Sequence, residues 1–204
     1  WQKGLSGGNT SPSAFVLYEN MLFVGAHWDR LFALDAATGE ILWTNKCDRL
    51  SYFVMTPALS EGYLFTGSWS GLYKIHAASG QTVKCREIQG YTFNNATRPY
   101  IHKGVMYLGT TDRGVVAVDT ESLEVLWTFE TGRNLIYTSP YSSGEIATVD
   151  SPVVPIGEHL CFGASDGFFY IIDKSGGEIA RYEIGSPVNQ APIVDGESVI
   201  VADF

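Results

Sequence analysis

A step of 42 residues recurs along this 204-residue chain and limits what it can fold into more than any other feature. Trp1, Trp43, Cys85 and Trp127 stand 42 apart, and Gly25, Gly67 and Gly109 repeat the same step. A fixed period of roughly 20 to 50 residues marks an array of like units, none of which buries its apolar face alone. The register jumps once. Gly109 to Gly163 and Trp127 to Arg181 are both 54 apart, which puts about twelve extra residues within 132–152 and leaves the units on either side undisturbed.

Each unit opens with a proline beside a small or polar residue: Pro12, Pro57, Pro99, Pro152 and Pro192. Proline suits the start of a strand, where no ladder donor is needed. Short apolar runs follow, MLFVG to Gly25, YLFTG to Gly67, VMYLG to Gly109 and HLCFG to Gly163, with VIVADF as a fifth copy. A polar turn leads to a second set, LFALD, LYKIH, VVAVD and FFYIID, and a second turn (AATGE, AASGQ, TESLE, KSGGE) to the last. Runs of strand length between turn residues, with no helical period, predict an all-β chain of four-stranded antiparallel units. Such units arranged radially form a β-propeller; a sandwich needs no such period, and a β-helix has shorter repeats. The expected organisation is one propeller domain or a segment of one, 1–204. Its repeats run about 12–50, 51–91, 92–131 and 151–186, with partial ends at 187–204 and 1–11 and an insertion at 132–152. The two ends either meet in an incomplete closing blade or belong to a propeller of seven or eight blades.

Composition narrows the function. Hydrophobic residues make up 45% and charged ones only 17%, below the ~25% of an average soluble domain, which argues against disorder. Thirteen Lys and Arg against 22 Asp and Glu give a net charge of -9, and no basic run stands ready to neutralise phosphates, so nucleic acid is excluded as a partner. No apolar stretch approaches the ~20 residues of a membrane-spanning helix. A leader peptide is either absent or already removed. Cys47, Cys85 and Cys161 read as free thiols, with a Cys47 to Cys85 bridge as the alternative, and no CxxC or HxxxH spacing suggests a metal.

Residues 33–43 read Ala33, Leu34, Asp35, Ala36, Ala37, Thr38, Gly39, Glu40, Ile41, Leu42, Trp43. This resembles the AxDxxTGxxxW tryptophan-docking motif of PQQ-like (quinoprotein-like) propellers. The third copy keeps Ala117, Asp119, Ser122 and Trp127 with Leu123 for Gly, and the fourth keeps Asp173 and Gly177. In the second, His76, Ser79 and Gly80 put Lys84 where the Trp stands, although the 42-residue step arrives at Cys85. The resemblance implies that Trp43 and Trp127 pack over the next blade's turn, and that Cys85 and Arg181 weaken the joints they replace. Asp35, Thr38, Asp119 and Asp173 would tie the turns, with Gly39, Gly80 and Gly177 at positive φ. It also raises a quinone-dependent dehydrogenase, whose family pattern has adjacent cysteines, a calcium site of carboxylate and amide ligands and an Asp base; adjacent cysteines do not occur in this sequence. No cofactor is expected.

Other chemistry is thin. His27, His76, His102 and His159 are scattered, no GxSxG elbow sets a nucleophile, and SGG at 6–8 and 175–177 is turn glycine with no following helix. What remains is surface. In a propeller the loops between second and third strands and the connections between blades share a face. That face would carry His27, Trp28, Trp69, Arg113 and Asp166, with Tyr91, Phe93, Arg98, Arg133, Tyr137 and Tyr141 from the connections. Aromatics beside Arg are typical of recognition surfaces, and long loops in compact repeats are usually functional. The resulting expectation is a non-catalytic scaffold that binds protein, peptide or glycan. It is similar to BamB-like members that act outside the bacterial cytoplasm in outer-membrane protein assembly. The alternatives are an accessory propeller of a larger enzyme or a fragment of a quinone-dependent dehydrogenase.

Overall fold

The structure, a computed structural model, describes residues 1–2, 4, 15–26, 30–46, 55–93, 98–133, 145–196 and 198–202. These contain strands and turns with no helix, and so no helix long and apolar enough to cross a membrane. The chain divides into two compact units, Trp1–Ala96 and Thr97–Phe204.

The first unit holds two four-stranded antiparallel sheets. One comprises β1 (Val16–Tyr18), β2 (Met21–Ala26), β3 (Arg30–Asp35) and β4 (Ile41–Lys46). The other comprises β5 (Ala58–Ser60), β6 (Tyr63–Ser68), β7 (Gly71–His76) and β8 (Thr82–Glu87). Both are simple meanders, each strand pairing with its sequence neighbours. The second unit repeats the plan with β9 (Tyr100–His102), β10 (Val105–Gly109), β11 (Val115–Asp119) and β12 (Val125–Phe129), then β13 (Val154–Ile156), β14 (His159–Gly163), β15 (Phe168–Ile172) and β16 (Glu178–Glu183). A two-stranded sheet of β17 (Ile193–Asp195) and β18 (Ser198–Ile200) follows.

Local chemistry explains the strand limits. Pro57, Pro99 and Pro192 immediately precede β5, β9 and β17, where a missing N–H costs no ladder bond. The first hairpins of the second and third repeats turn through Glu61–Gly62 and Lys103–Gly104, all four residues at positive φ between 48° and 79°. That is the backbone sense a two-residue hairpin needs to match strand twist. Burial then follows strand position. The two central strands of each four-stranded sheet are largely buried, whereas the fourth is less so and is mostly exposed in β8 and β16.

The core of each unit lies between its sheets. In the first, Val16, Phe23, Leu31 and Ala33 meet Leu64, Tyr73, Ile75 and Ala77. In the second, Tyr107, Val115 and Ala117 meet Leu160, Phe162, Tyr170 and Ile172, with Val149 and Val153 of the connecting segment added. That segment crosses the end of β10, and the segment after β16 crosses the end of β14, because Gly109 and Gly163 have no side chain. A Cβ on Gly109 would fall on the Val149 carbonyl oxygen, and one on Gly163 on the Val188 side chain.

Candidate functional site

The sheets are joined through indoles. Trp1 Nε1 donates to the Ala36 carbonyl at 3.0 Å, Trp43 Nε1 to that of Ala77 at 2.9 Å and Trp127 Nε1 to that of Lys174 at 3.1 Å. Each ring lies flat on a turn glycine of the following repeat, Gly39, Gly80 and Gly176 respectively, where an added Cβ would collide with ring carbons. Trp43 also packs 5.7 Å from Phe23, and Trp127 5.8 Å from Tyr107.

The turns under those rings are held by their first residue. Asp35 Oδ1 accepts from the amides of Ala37 and Thr38 at 2.9 and 2.7 Å, and Asp119 Oδ1 from those of Glu121 and Ser122 at 3.1 and 2.6 Å. Thr38 and Ser122 hydroxyls accept from Glu40 and Glu124 amides. In the second repeat His76 Nδ1 lies 3.0 Å from Ser79 Oγ instead. The Thr38 amide, with Ala37 and Asn20 assisting, holds the Asp35 carboxyl below its ordinary value; the Ser175 hydroxyl and the Gly177 amide do the same for Asp173.

Two expectations about these joints need correction. Gly177 does not take the left-handed conformation; Gly176 does, at φ +91°. The fourth turn is one residue shorter, closing Asp173 N–H on Gly177 O where the first closes Asp35 N–H on Glu40 O, so the strained position moves back by one. Leu123 adopts φ +55° without being glycine, and its side chain is fully buried. Finally, Cys85 and Arg181 do not occupy the tryptophan position. Trp43 pairs with Ala33 and Trp127 with Ala117, each just before a β-bulge; the residues in the same register are Lys84, opposite Lys74, and Ala180, opposite Ile171. Loops shortened by one residue shift the count, and a one-residue slip places a side chain on the other face of a strand. Cys85 accordingly packs with Tyr73, and the Arg181 guanidinium sits 5.5 Å over the Phe168 ring.

The residues expected to form a loop face divide between the units. In the first, Trp69 occupies the turn between β6 and β7 with its ring partly exposed, and its carbonyl accepts from the Phe93 amide. Phe93 is fully buried and stacks on Tyr91. In the second unit Arg113, exposed, tops the β10–β11 turn, where its amide donates to Thr110 Oγ1 at 2.9 Å. Arg133, also exposed, follows β12, and neighbouring Gly132 accepts from the Ala147 amide. His27, Trp28, Tyr137 and Tyr141 lie outside the described residues.

With this geometry in view, the family described as outer membrane protein assembly factor BamB matches residues 55–203. The chain belongs to that family. No curated protein matches it. Among solved structures, the computationally designed Ika8 protein is 15% identical with a TM-score of 0.68, over 92% of this chain and 54% of that one. Quinohemoprotein alcohol dehydrogenase from Comamonas testosteroni is 17% identical with a TM-score of 0.68, over 92% of this chain and 38% of that one. BamB from Moraxella catarrhalis is 14% identical with a TM-score of 0.57, over 93% and 68%. The chain thus spans about half the length, or less, of the first two. At these identities the likeness shows the fold: the four-stranded sheets are blades of a PQQ-like β-propeller.

In this BamB-family chain the second unit carries a polar cluster that sequence reading did not single out. Asp166, expected on the surface, is buried. Its Oδ2 accepts from Tyr170 OH at 2.5 Å and from the Gly132 amide at 2.8 Å, and its Oδ1 from the Phe168 amide. Burial, with Asp166 beside it, pushes the Tyr170 phenol far above its ordinary value. The carboxylate thus fixes the start of the inserted connection to the fourth blade. Further along, Thr148 Oγ1 donates to the Thr111 carbonyl and the Thr148 carbonyl accepts from the Ser165 amide. Thr111 Oγ1 and Ser165 Oγ are buried with no hydrogen-bond partner among the described residues. Two residues on, burial alone raises the Asp150 carboxyl. Only the spare length of 132–152 signalled this cluster in the sequence.

A metal-bound quinone, which the dehydrogenase likeness brings to mind, does not fit the described donor set. No three His, Cys, Asp or Glu side chains among the described residues gather as metal ligands would. Cys85 and Cys161 are free, and burial pushes the Cys161 thiol up to about 11, which leaves it protonated and inert.

Proposed function

We propose that this chain is a non-catalytic propeller scaffold of the cell envelope, outside the cytoplasm, which presents its loop ends to a protein or peptide partner, with glycan as the other candidate ligand. The observation that carries the reading is the BamB family match over 55–203, joined to exposed Arg113 and Arg133 on the loop ends of the second unit. Arg supplies much of the binding energy at recognition surfaces.

The test is site-specific photo-crosslinking in envelope extracts, with the crosslinker at position 113 or 133. One repeated partner band is expected, reduced by Arg113→Glu together with Arg133→Glu and unaffected by a crosslinker at Glu178, on the outer strand. Equal labelling from all three positions would sink the reading. A second reading, a fragment of a quinone-dependent dehydrogenase, draws on the likeness to the Comamonas enzyme. It requires saturable spectral shifts when the quinone is titrated in with calcium; the scaffold reading expects none.

A further inference from the structure

Every docked indole stays within one compact unit. Trp1 on Gly39 and Trp43 on Gly80 belong to Trp1–Ala96, and Trp127 on Gly176 belongs to Thr97–Phe204. The division between the units falls at the junction of the second and third repeats, and at that junction both members of the pair are replaced. Lys84, exposed, stands opposite Lys74 just before a bulge, in the register that sets Trp43 opposite Ala33 and Trp127 opposite Ala117. In the turn of the third repeat the Leu123 amide donates to the Asp119 carbonyl at 2.9 Å, as the Gly39 amide does to Asp35 and the Gly80 amide to His76 at 2.8 Å, so Leu123 holds the glycine place. Among the described residues this is the one junction with strand and turn both present and neither member of the pair.

The two replacements belong together. A Cβ at Gly39, Gly80 or Gly176 would collide with the ring carbons lying on it, so an indole seats only on a turn that has no side chain there. Leucine at position 123 denies that seat. It does so in a left-handed backbone, φ +55°, that residues with a Cβ rarely take, and its side chain is fully buried. A tryptophan in place of Lys84 would therefore find no glycine to lie on.

In an array whose units hold mainly their neighbours, cooperativity ends at the weakest junction. We propose that the junction of the second and third repeats is a built-in seam, at which the two units loosen and unfold as separate cooperative bodies because the indole and its glycine seat are both missing. Such a seam lets one unit open while the other keeps its shape, which an array of equal joints does not allow. The seam is independent of the scaffold reading, so either can fail without the other.

Hydrogen exchange of the 204-residue chain at rising urea, followed by mass spectrometry, reads the seam. Two midpoints are expected, one common to β2, β3, β6 and β7 and the other to β10, β11, β14 and β15, about 0.5 M urea or more apart. Lys84→Trp with Leu123→Gly supplies both ring and seat, and the midpoints are expected to merge to within about 0.1 M. Lys84→Trp alone leaves them apart, so the pair of substitutions is non-additive. A single midpoint in the parent would overturn the proposal. So would midpoints that stay apart in the double variant with its circular dichroism unchanged, or that merge with Lys84→Trp alone. If the double variant loses its fold, Trp43→Ala decides: it must lower the first midpoint and leave the second within about 0.1 M of the parent, and an equal fall in both overturns the seam.

Discussion

The Trp43 indole combines ring burial against Gly80 with a hydrogen bond to Ala77, and both are lost together on truncation. Trp43→Ala is expected to lower the unfolding free energy by about 3 kcal/mol. Trp43→Phe, which keeps most of the ring, should cost about 1 kcal/mol for the missing donor. Urea titration measures both, and similar losses for the two would mean that the N–H, not the ring, holds the joint. Tyr170 makes a pH prediction. Its folded value lies above the ordinary 10.0, so the folded chain keeps a proton that the unfolded chain releases. Stability is therefore full below about pH 10 and falls as pH rises beyond it. Tyr170→Phe should cost about 1 kcal/mol at pH 7 and flatten the fall between pH 10 and 11. A variant that loses stability above pH 10 as steeply as the parent would place the alkaline sensitivity elsewhere, with Tyr107 the next candidate.

At the scale of elements, the glycine ending each second strand decides whether the connecting segment can lie against it. A methyl at Gly109 meets the backbone oxygen of Val149, and one at Gly163 meets both side chain and backbone of Val188. At Gly67 the nearest atom is the sulfur of Met55, on a flexible side chain that can swing aside. Gly109→Ala and Gly163→Ala are expected to cost about 2–3 kcal/mol each and Gly67→Ala about 1 kcal/mol or less, read from thermal or urea unfolding. Equal costs at all three would mean that backbone approach is not what selects glycine. The glycines were visible in the sequence as a period. Their reason was not, since the atoms they make room for come from 25 to 40 residues further along the chain in the second unit and from 12 residues before in the first.

For the whole molecule, a repeat array transmits damage mainly to neighbours. Trp43→Ala is expected to speed hydrogen exchange in β2, β3, β6 and β7 and to leave the amides of β14 and β15 unchanged; uniform acceleration would mean that the chain unfolds as one cooperative body. The 42-residue period, strand-length runs and turn residues together determined an all-β array of four-stranded blades, because alternation and turn chemistry are local properties that each segment carries in itself. The family motif likewise marked Asp35, Thr38, Gly39 and Trp43 by type and spacing alone. Tertiary structure decided between the two counts at the second joint, where motif spacing points to Lys84 and the 42-residue step to Cys85, and it moved the fourth position from Arg181 to Ala180. Lys84 and Ala180 stand there instead of Cys85 and Arg181, since loops one residue shorter shift a strand's register without altering its composition. It also decided the fate of Asp166, a polar turn residue in the sequence, which is buried where Gly132, 34 residues away, meets it beside the nearby Tyr170. Whether a polar or apolar side chain meets water depends on partners distant in sequence.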